Sequence, residues 1–557
     1  MSAEPVPSKI AAPERHSLES LGQGSLLAFV GQLLNLAILF GVRVALVHFL
    51  TVQEFGVLTL GISLFTLVQA ILNLGLPTAI ARQIAHSPFV EERRRIMRVG
   101  FWITLVAAIA VPVILVPSAG LLASWVRDPL FAPVLAYLSI YLALVMVQTL
   151  LTSFFQGHEN VLPYVLTVLV VSPALTLVFL GALLGLGWGL TGAVIAYVIA
   201  GAITLAGLVV YTLTKRKQLE SVPEGLRLRG GAIDHTPRTT PRSLLLFSLP
   251  LALVGLALVV PGNADTLVVG LLQPVEVAGS YNAALALGRL VTLGITSLAF
   301  IMLPVAARLH ARGDFEELRR SYAVITKWIL LLSFPFFLLF VFFPQASLMF
   351  LYGDKVATPA YAQAPLVLAV VSSGAFVASL LGPSTAVLTG FGRLGPLVRA
   401  TAISATIDVV GSFALVPLVG VVGAAIAFSA SVVALPALCL AEINSRAVVH
   451  PFSWSLGKPL LAVAAVFTPV FVLLRLTGWS PSFVEVPLLF LLIAIGYVIA
   501  VPATRSLAWE DGHLLTVVEG YLGRRLVTLR RIGARFVRER RPPPSPPVAP
   551  ASDPLSK

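Results

Sequence analysis

Long apolar stretches separated by short polar ones run along most of the chain. Each stretch is long enough to cross a hydrocarbon layer, which takes about 20 helical residues. The pattern predicts an all-α polytopic membrane protein with about 14 transmembrane helices. These fall at 24–50, 55–80, 99–126, 133–155, 163–186 and 189–213, then at 244–271, 278–307, 324–351, 364–388, 397–418 and 421–444, with a last pair at 458–476 and 484–504. The polar stretches between them set the organisation. A tail at 1–23 precedes a first lobe at 24–213, and a linker at 214–243, marked by Gly230, Gly231, Pro237 and Pro241, leads to a second lobe at 244–445. A two-helix addition occupies 446–505. Beyond it, Leu514, Val518, Leu522, Leu526, Leu529, Ile532 and Phe536 recur at helical spacing against Arg524, Arg525, Arg530, Arg531 and Arg535. That pattern over 506–541 predicts a basic amphipathic helix lying on an anionic membrane leaflet. The Pro-rich tail at 542–557 reads as disordered.

The two six-helix blocks repeat each other. TVQEFGVLTL at Thr51–Leu60 matches QPVEVAGSYN at Gln273–Asn282 with one inserted residue before the glycine. Each is followed by a long apolar run ending in Ala-Arg, at Ala81-Arg82 and Ala307-Arg308, and then by a Glu-Glu, Arg-Arg loop. Gly157 and Pro163 recur at the same spacing as Gly390 and Pro396, and GLTGAVIA at Gly189–Ala196 recurs as GVVGAAIA at Gly420–Ala427. Six helices per copy give parallel repeats, two pseudo-symmetric lobes about an axis along the membrane normal.

Composition sharpens this picture. The chain is 57% hydrophobic and only 11% charged, whereas soluble domains carry about 25% charged residues. Its net charge of +13 does not point to nucleic acid, because the Lys and Arg residues collect between apolar runs. They include Arg93, Arg94, Arg95, Arg98, Lys215, Arg216, Lys217, Arg308, Arg312 and the C-terminal tail, while the opposite connections hold little more than Arg127, Lys355 and Arg475. That asymmetry places both termini in the cytoplasm of a multi-pass inner (cytoplasmic) membrane protein. The N-terminal stretch lacks the charged-then-apolar pattern of a cleaved signal. There is no phosphate-binding G-x-x-x-x-G-K-[ST] loop, no zinc spacing and no G-x-S-x-G, and the single cysteine, Cys439, lies in an apolar run. No cofactor is called for and no enzyme is expected. Transport is the chemistry such a chain supports.

Polar side chains inside the spans are the candidate functional residues. Gln32, Asn35 and Arg43 lie in the first span, Gln69 and Asn73 in the second, Gln148 in the fourth, Asn263 and Asp265 in the seventh, Asn282 and Arg289 in the eighth, and Asp408 in the eleventh. Asn and Gln in membrane helices commonly serve as interhelical hydrogen bonds. A charge costs about 2.5–3.5 kcal/mol at a helix centre unless it faces a cavity or a partner, so Arg43, Arg289, Asp265 and Asp408 stand apart. Arginines offer planar forks for phosphate oxygens. Gln32, Asn35, Asn73, Asn263 and Asn282 could pass a polyhydroxylated group through the same cavity.

The EFG-x-L-x-L segment at Glu54–Leu60, LNLGLP-T-A-x-x-R at Leu72–Arg82, N-x-D-T-L-x-x-G at Asn263–Gly270 with EV-x-G-x-Y-N at Glu276–Asn282, and G-x-x-GAAIA at Gly420–Ala427 together resemble the polysaccharide-unit flippases of the multidrug/oligosaccharidyl-lipid/polysaccharide exporter superfamily. The resemblance implies two lobes forming a V around a central cationic cavity. It implies turnover of a polyprenyl-diphosphate-linked oligosaccharide between leaflets, with Arg43 and Arg289 at places where relatives hold the diphosphate. A polysaccharide polymerase and glycosyltransferases are the candidate protein partners. Asp265 and Asp408 would serve gating or coupling. They also keep open the alternative, a cation-coupled drug or small-molecule antiporter of the same superfamily. Arg43 and Asp265 are separated by the same interval as Glu54 and Glu276, so the repeat puts two opposite charges at one position of each lobe. They are expected to face one cavity and to pair in one state of the cycle.

Overall fold

The computed structural model describes residues 12–219 and 240–504, apart from 88, 159, 448, 453, 480, 483 and 484. The basic helix expected at 506–541, the tail at 542–557 and most of the linker lie outside the described residues. All the regular elements among the described residues are helical. The first lobe contains α1 (Ala12–Phe49), α2 (Val52–Leu72), α3 (Leu76–His86), α4 (Val90–Val126), α5 (Phe131–Gln156), α6 (Leu162–Gly185) and α7 (Gly189–Thr214). The second contains α8 (Pro241–Val259), α9 (Ala264–Leu272), α10 (Val275–Gly288), α11 (Leu293–Arg312), α12 (Phe315–Phe342) and α13 (Pro344–Tyr352). It continues with α14 (Ala364–Leu380), α15 (Ser384–Gly390), α16 (Leu394–Val419) and α17 (Val421–Ala447). The added pair, α18 (Trp454–Leu476) and α19 (Glu485–Ala503), packs on α12. Aromatic rings fill that seam, with Phe336 against Phe490 at 4.6 Å and Phe343 against Phe471 at 5.1 Å.

Among the described residues, 10 helical segments are long and apolar enough to cross a membrane, and α8, bent by 46° at Leu249–Leu251, makes 11. The other expected spans are the broken α10–α11 pair and two shorter apolar helices, Leu460–Leu474 and Glu485–Val501. Several stretches that hydropathy reads as continuous are interrupted. The second span turns at Asn73–Gly75, where Leu74 (φ 47°) and Gly75 (φ 65°) both enter the left-handed region, before Pro77 opens α3. The seventh breaks between Val259 and Ala264, and the eighth passes through a 3-10 turn at Arg289–Thr292. The ninth and tenth also divide, into α12–α13 and α14–α15. Pro and Gly are tolerated at membrane depth where neighbours satisfy the freed backbone groups, so hydropathy alone does not register these breaks.

The lobes pack most extensively at two places. At one end, α2 packs along α10 through repeat-related glycines. A Cβ on Gly279 would stand 2.9 Å from the Gly56 Cα, and one on Gly56 would overlap the Val275 carbonyl. This end also carries the α1–α2 connection and residues 353–357, and is called the Lys355 end below. At the other end, α3 packs on α8, with Gly75 against the Ser248 and Ala252 backbone and Arg82 over the Phe247 ring at 5.7 Å. On the other side of the axis α1 touches α11 over a short stretch only. The Gly56 contact is backbone against backbone, so no rotamer change relieves an added methyl. Gly56→Ala is expected to destabilise the detergent-solubilised protein by about 1–3 kcal/mol, and an unchanged thermal midpoint would count against this packing.

Candidate functional site

The break in the seventh span creates the site. Pro261 donates no backbone N–H, and Gly262 adopts φ 83°, a conformation a side chain resists. Asn263 Nδ2 closes the end of α8 by donating to the Val259 carbonyl at 2.8 Å. A new helix N-terminus follows, and Asp265 sits in its first turn, where the exposed amides favour a carboxylate. Asp265 Oδ1 accepts from the Thr266 amide at 2.7 Å, and Oδ2 accepts a short hydrogen bond from the Tyr281 hydroxyl of α10. One step along, Asn282 Nδ2 donates to Thr266 Oγ1 at 3.4 Å. Two polar pairs thus tie α9 to α10 in a fully buried setting.

Arg289 belongs to the second break. Its Nη2 occupies the place where a side chain on Gly262 would project, so the guanidinium lies directly on the Pro261–Asn263 turn. It also lies over the Phe428 ring of α17, 5.8 Å from the centroid, a cation–π arrangement. Arg289 borders a cavity of about 420 Å³ with Asn263, Thr66, Ser404 and Phe428 in its wall. Behind it on α16 lies Asp408, fully buried, with no hydrogen-bond partner for either carboxylate oxygen. The Gly262 amide approaches Asp408 outside hydrogen-bond geometry. Asp265, Tyr281, Asp408 and Arg289 are close enough to form one electrostatic cluster.

Arg43 reaches this cluster from the first lobe. Its Nη1 donates to the Asn282 carbonyl at 3.2 Å, and Tyr352 Oη donates to the next carbonyl, Ala283, at 3.1 Å. Tyr197, Tyr352 and Arg289 all lie within electrostatic range of Arg43. Arg43 and Asp265 are not paired in this conformation. They engage consecutive residues of α10 instead, Arg43 on the backbone of Asn282 and Asp265 on the side chain of Tyr281.

The remaining candidates divide. Asn263 lines the cavity and Asn282 joins α9 to α10. Asn35 Nδ2 donates at 3.0 Å to the Leu169 carbonyl in the π-helical turn Val165–Val171 of α6, and Gln148 Nε2 donates at 2.7 Å to Gly201; both are interhelical ties. Gln32 is exposed on α1, and Asn73 caps α2 at its kink. None of Gln32, Asn35 and Asn73 borders the described cavity. Tyr281, Gly262, Phe428 and Tyr352 are participants that polarity within spans did not single out. Tyr281 had a signal in the Y-N pair of the EV-x-G-x-Y-N segment, whereas Phe428 looks like any other lipid-soluble ring.

The sequence profile of the family described as "Polysaccharide biosynthesis protein" matches residues 21–310, and that of the family described as "MatE" matches residues 250–414. Among solved structures, the chain is similar to "Lipid II flippase MurJ, inward closed conformation" with a TM-score of 0.63 at 12% identity, over 85% of this chain and 97% of that one. It is also similar to "Inward-facing conformation of a multidrug resistance MATE family transporter of the MOP superfamily" with a TM-score of 0.54 at 15% identity, over 77% and 94% of the two chains. At these identities the likeness is one of fold. No curated protein matches the sequence.

The two carboxylates make opposite demands on stability. Tyr281→Phe leaves a buried Asp265 oxygen without its donor and is expected to cost about 1.5–3 kcal/mol. Asp408→Asn replaces a buried carboxyl whose oxygens have no hydrogen-bond partner while keeping the shape, and is expected to leave the thermal midpoint in detergent unchanged or raised. The reverse order of the two midpoints would contradict the hydrogen-bond pattern.

Proposed function

The chain belongs to the polysaccharide biosynthesis protein family, and on that premise we propose that it translocates a polyprenyl-diphosphate-linked oligosaccharide across the cytoplasmic membrane by alternating access. The observation that carries this reading is the approach of Arg43 and Arg289, one from each lobe, to within electrostatic range of each other, with Arg289 bordering the cavity and Arg43 on the Asn282 carbonyl of α10. Two like charges at membrane depth are costly alone and favourable around a multivalent anion. Arg43 is held by a neutral carbonyl, which a diphosphate oxygen outcompetes because hydrogen bonds between ionised partners are roughly twice as strong. Arg289 lies over the Phe428 ring and borders the cavity. Asn263, Thr66 and Ser404 add hydroxyl and amide groups suited to sugars.

In this reading Asp265 and Asp408 are the gating or coupling groups. Asp265 is tied to α10 through Tyr281, so a change at the carboxylate is transmitted to the residue Arg43 touches. Both termini and the basic connections face the cytoplasm, the basic 506–541 segment meets anionic lipid, and polymerase and glycosyltransferases of the same assembly route are partners. A second reading, cation-coupled export of a small molecule, draws support from the MatE profile, whose match at 250–414 includes both buried carboxylates.

Translocation of a fluorescent polyprenyl-diphosphate oligosaccharide by proteoliposomes tests the first reading. Arg43→Ala and Arg289→Ala are each expected to weaken its binding by roughly 10- to 100-fold, the loss of one charged hydrogen-bonding partner. Arg289→Lys is expected to recover only part of the loss, because an ammonium lacks the planar fork. Full translocation by the double alanine variant would refute the assignment. Export of cationic dyes without lipid translocation would select the second reading.

A further inference from the structure

Lys355 is one of the few basic residues on its side of the sequence pattern, and the cavity does not use it. It lies in the short turn Gly353–Ala357 that follows α13 in the second lobe. Its Nζ crosses the lobe boundary and donates to three carbonyls of the first lobe, Val47, His48 and Leu50, at 2.5 to 2.7 Å. These belong to the C-terminal end of α1, where helix carbonyls have no amide of their own to accept from and the helix dipole favours a cation. One ammonium therefore satisfies three acceptors that no other described group satisfies in their place, using all three of its N–H donors.

The repeat underlines the asymmetry. In the first lobe the corresponding connection, between α4 and α5, places Asp128, which accepts from Gln53 Nε2 of the same lobe at 2.7 Å. The second lobe instead places a cation whose acceptors are all in the opposite lobe. Arg43 lies on the same helix, less than two turns before its end, and its own bond also crosses to the second lobe. Burial lowers the Lys355 pKa, and nearby Glu54 opposes that shift. Glu54 is itself fixed, closing the capping box of α2 with Thr51 and accepting from the Leu190 amide of α7.

We propose that Lys355 is a positioning residue which holds the end of α1 to the second lobe, and that its release from the Val47, His48 and Leu50 carbonyls is a step in opening the Lys355 end of the cavity. The inference rests on the lobes moving relative to each other, as alternating access requires, but not on the identity of the substrate. The acceptors are neutral carbonyls, so the contact orients α1 without the depth of a buried ion pair and can open in each cycle. Lys355 also sets where Arg43 stands, since Arg43 lies on the same helical end as the carbonyls that Lys355 holds.

The test uses the full chain with Cys439, its only cysteine, changed to Ser, and Thr66, which lines the cavity, changed to Cys as a reporter. A membrane-impermeant maleimide is applied to either face of sealed vesicles. Lys355→Met keeps the apolar stem and removes the three donors, and is expected to raise labelling from the Lys355 face by roughly tenfold or more without raising it from the other face. Lys355→Arg retains a cation with several donors and is expected to restore the parental rate. Labelling by Lys355→Met that is unchanged, or raised equally from both faces, would overturn the proposal, as would a failure of Lys355→Arg to differ from Lys355→Met. Lys355→Gln, which keeps one amide donor group, provides a second variant with an intermediate rate expected. No lipid-linked substrate enters the measurement, so its failure is separable from a failure of translocation.

Discussion

A helix that stops at membrane depth frees backbone groups that no water can satisfy, and the second lobe meets this constraint twice beside one cavity. The break at Pro261–Asn263 is closed from within by Asn263 on Val259 and covered from outside by the Arg289 guanidinium. The break at Arg289–Thr292 supplies that guanidinium. Each interruption therefore depends on the other. Gly262 is what allows it, since any side chain there would occupy the space Arg289 fills. The same break makes the helix start at which Asp265 accepts an amide, and from Asp265 the Tyr281 bond carries the arrangement into α10. Most of the polar chemistry at the centre of the protein follows from one turn of three residues.

The two lobes repeat in sequence but diverge in what the repeat is used for. Position 43 lies within an unbroken helix, whereas the equivalent position 265 lies just after a break. A carboxylate suits a helix N-terminus, and no such terminus exists around residue 43. Opposite charges at equivalent positions thus have a local cause before any pairing between them is considered. They meet indirectly, through neighbouring residues of α10. That helix is also where the glycine contact with α2 brings the lobes closest, so it is the element through which cavity and closure are linked.

Two of the cations that cross between lobes share a further property. Arg43 and Lys355 both donate to backbone carbonyls rather than to carboxylates. A buried ion pair is hard to break, because separating it strands a charge. Carbonyl acceptors give orientation with less depth, which suits contacts that an anionic ligand or a lobe movement has to replace. The carboxylates that could have trapped Arg43 are occupied or turned away. Asp265 is taken by Tyr281 and Thr266, and Asp408 faces Gly262 behind Arg289.

By itself the sequence determined the class of the protein, its helical spans, its duplication and the charged residues worth examining. These depend on hydropathy, on spacing and on the cost of burying charge, all of which are properties of the chain read locally. Asn263, Asp265, Asn282 and Arg289 were visible for that reason, since each is polar in an apolar run. Only the tertiary structure decided which of the polar residues act together. Asn35 and Gln148 proved to be ties between helices, while Gly262, Tyr281 and Phe428 joined the site. The physical reason is that an apolar run carries no record of where its helix breaks, nor of which residue from another lobe will fill the gap. Lys355 shows the limit most clearly: the chain reads it as one positive charge in a loop, and its three acceptors lie some three hundred residues away along the chain.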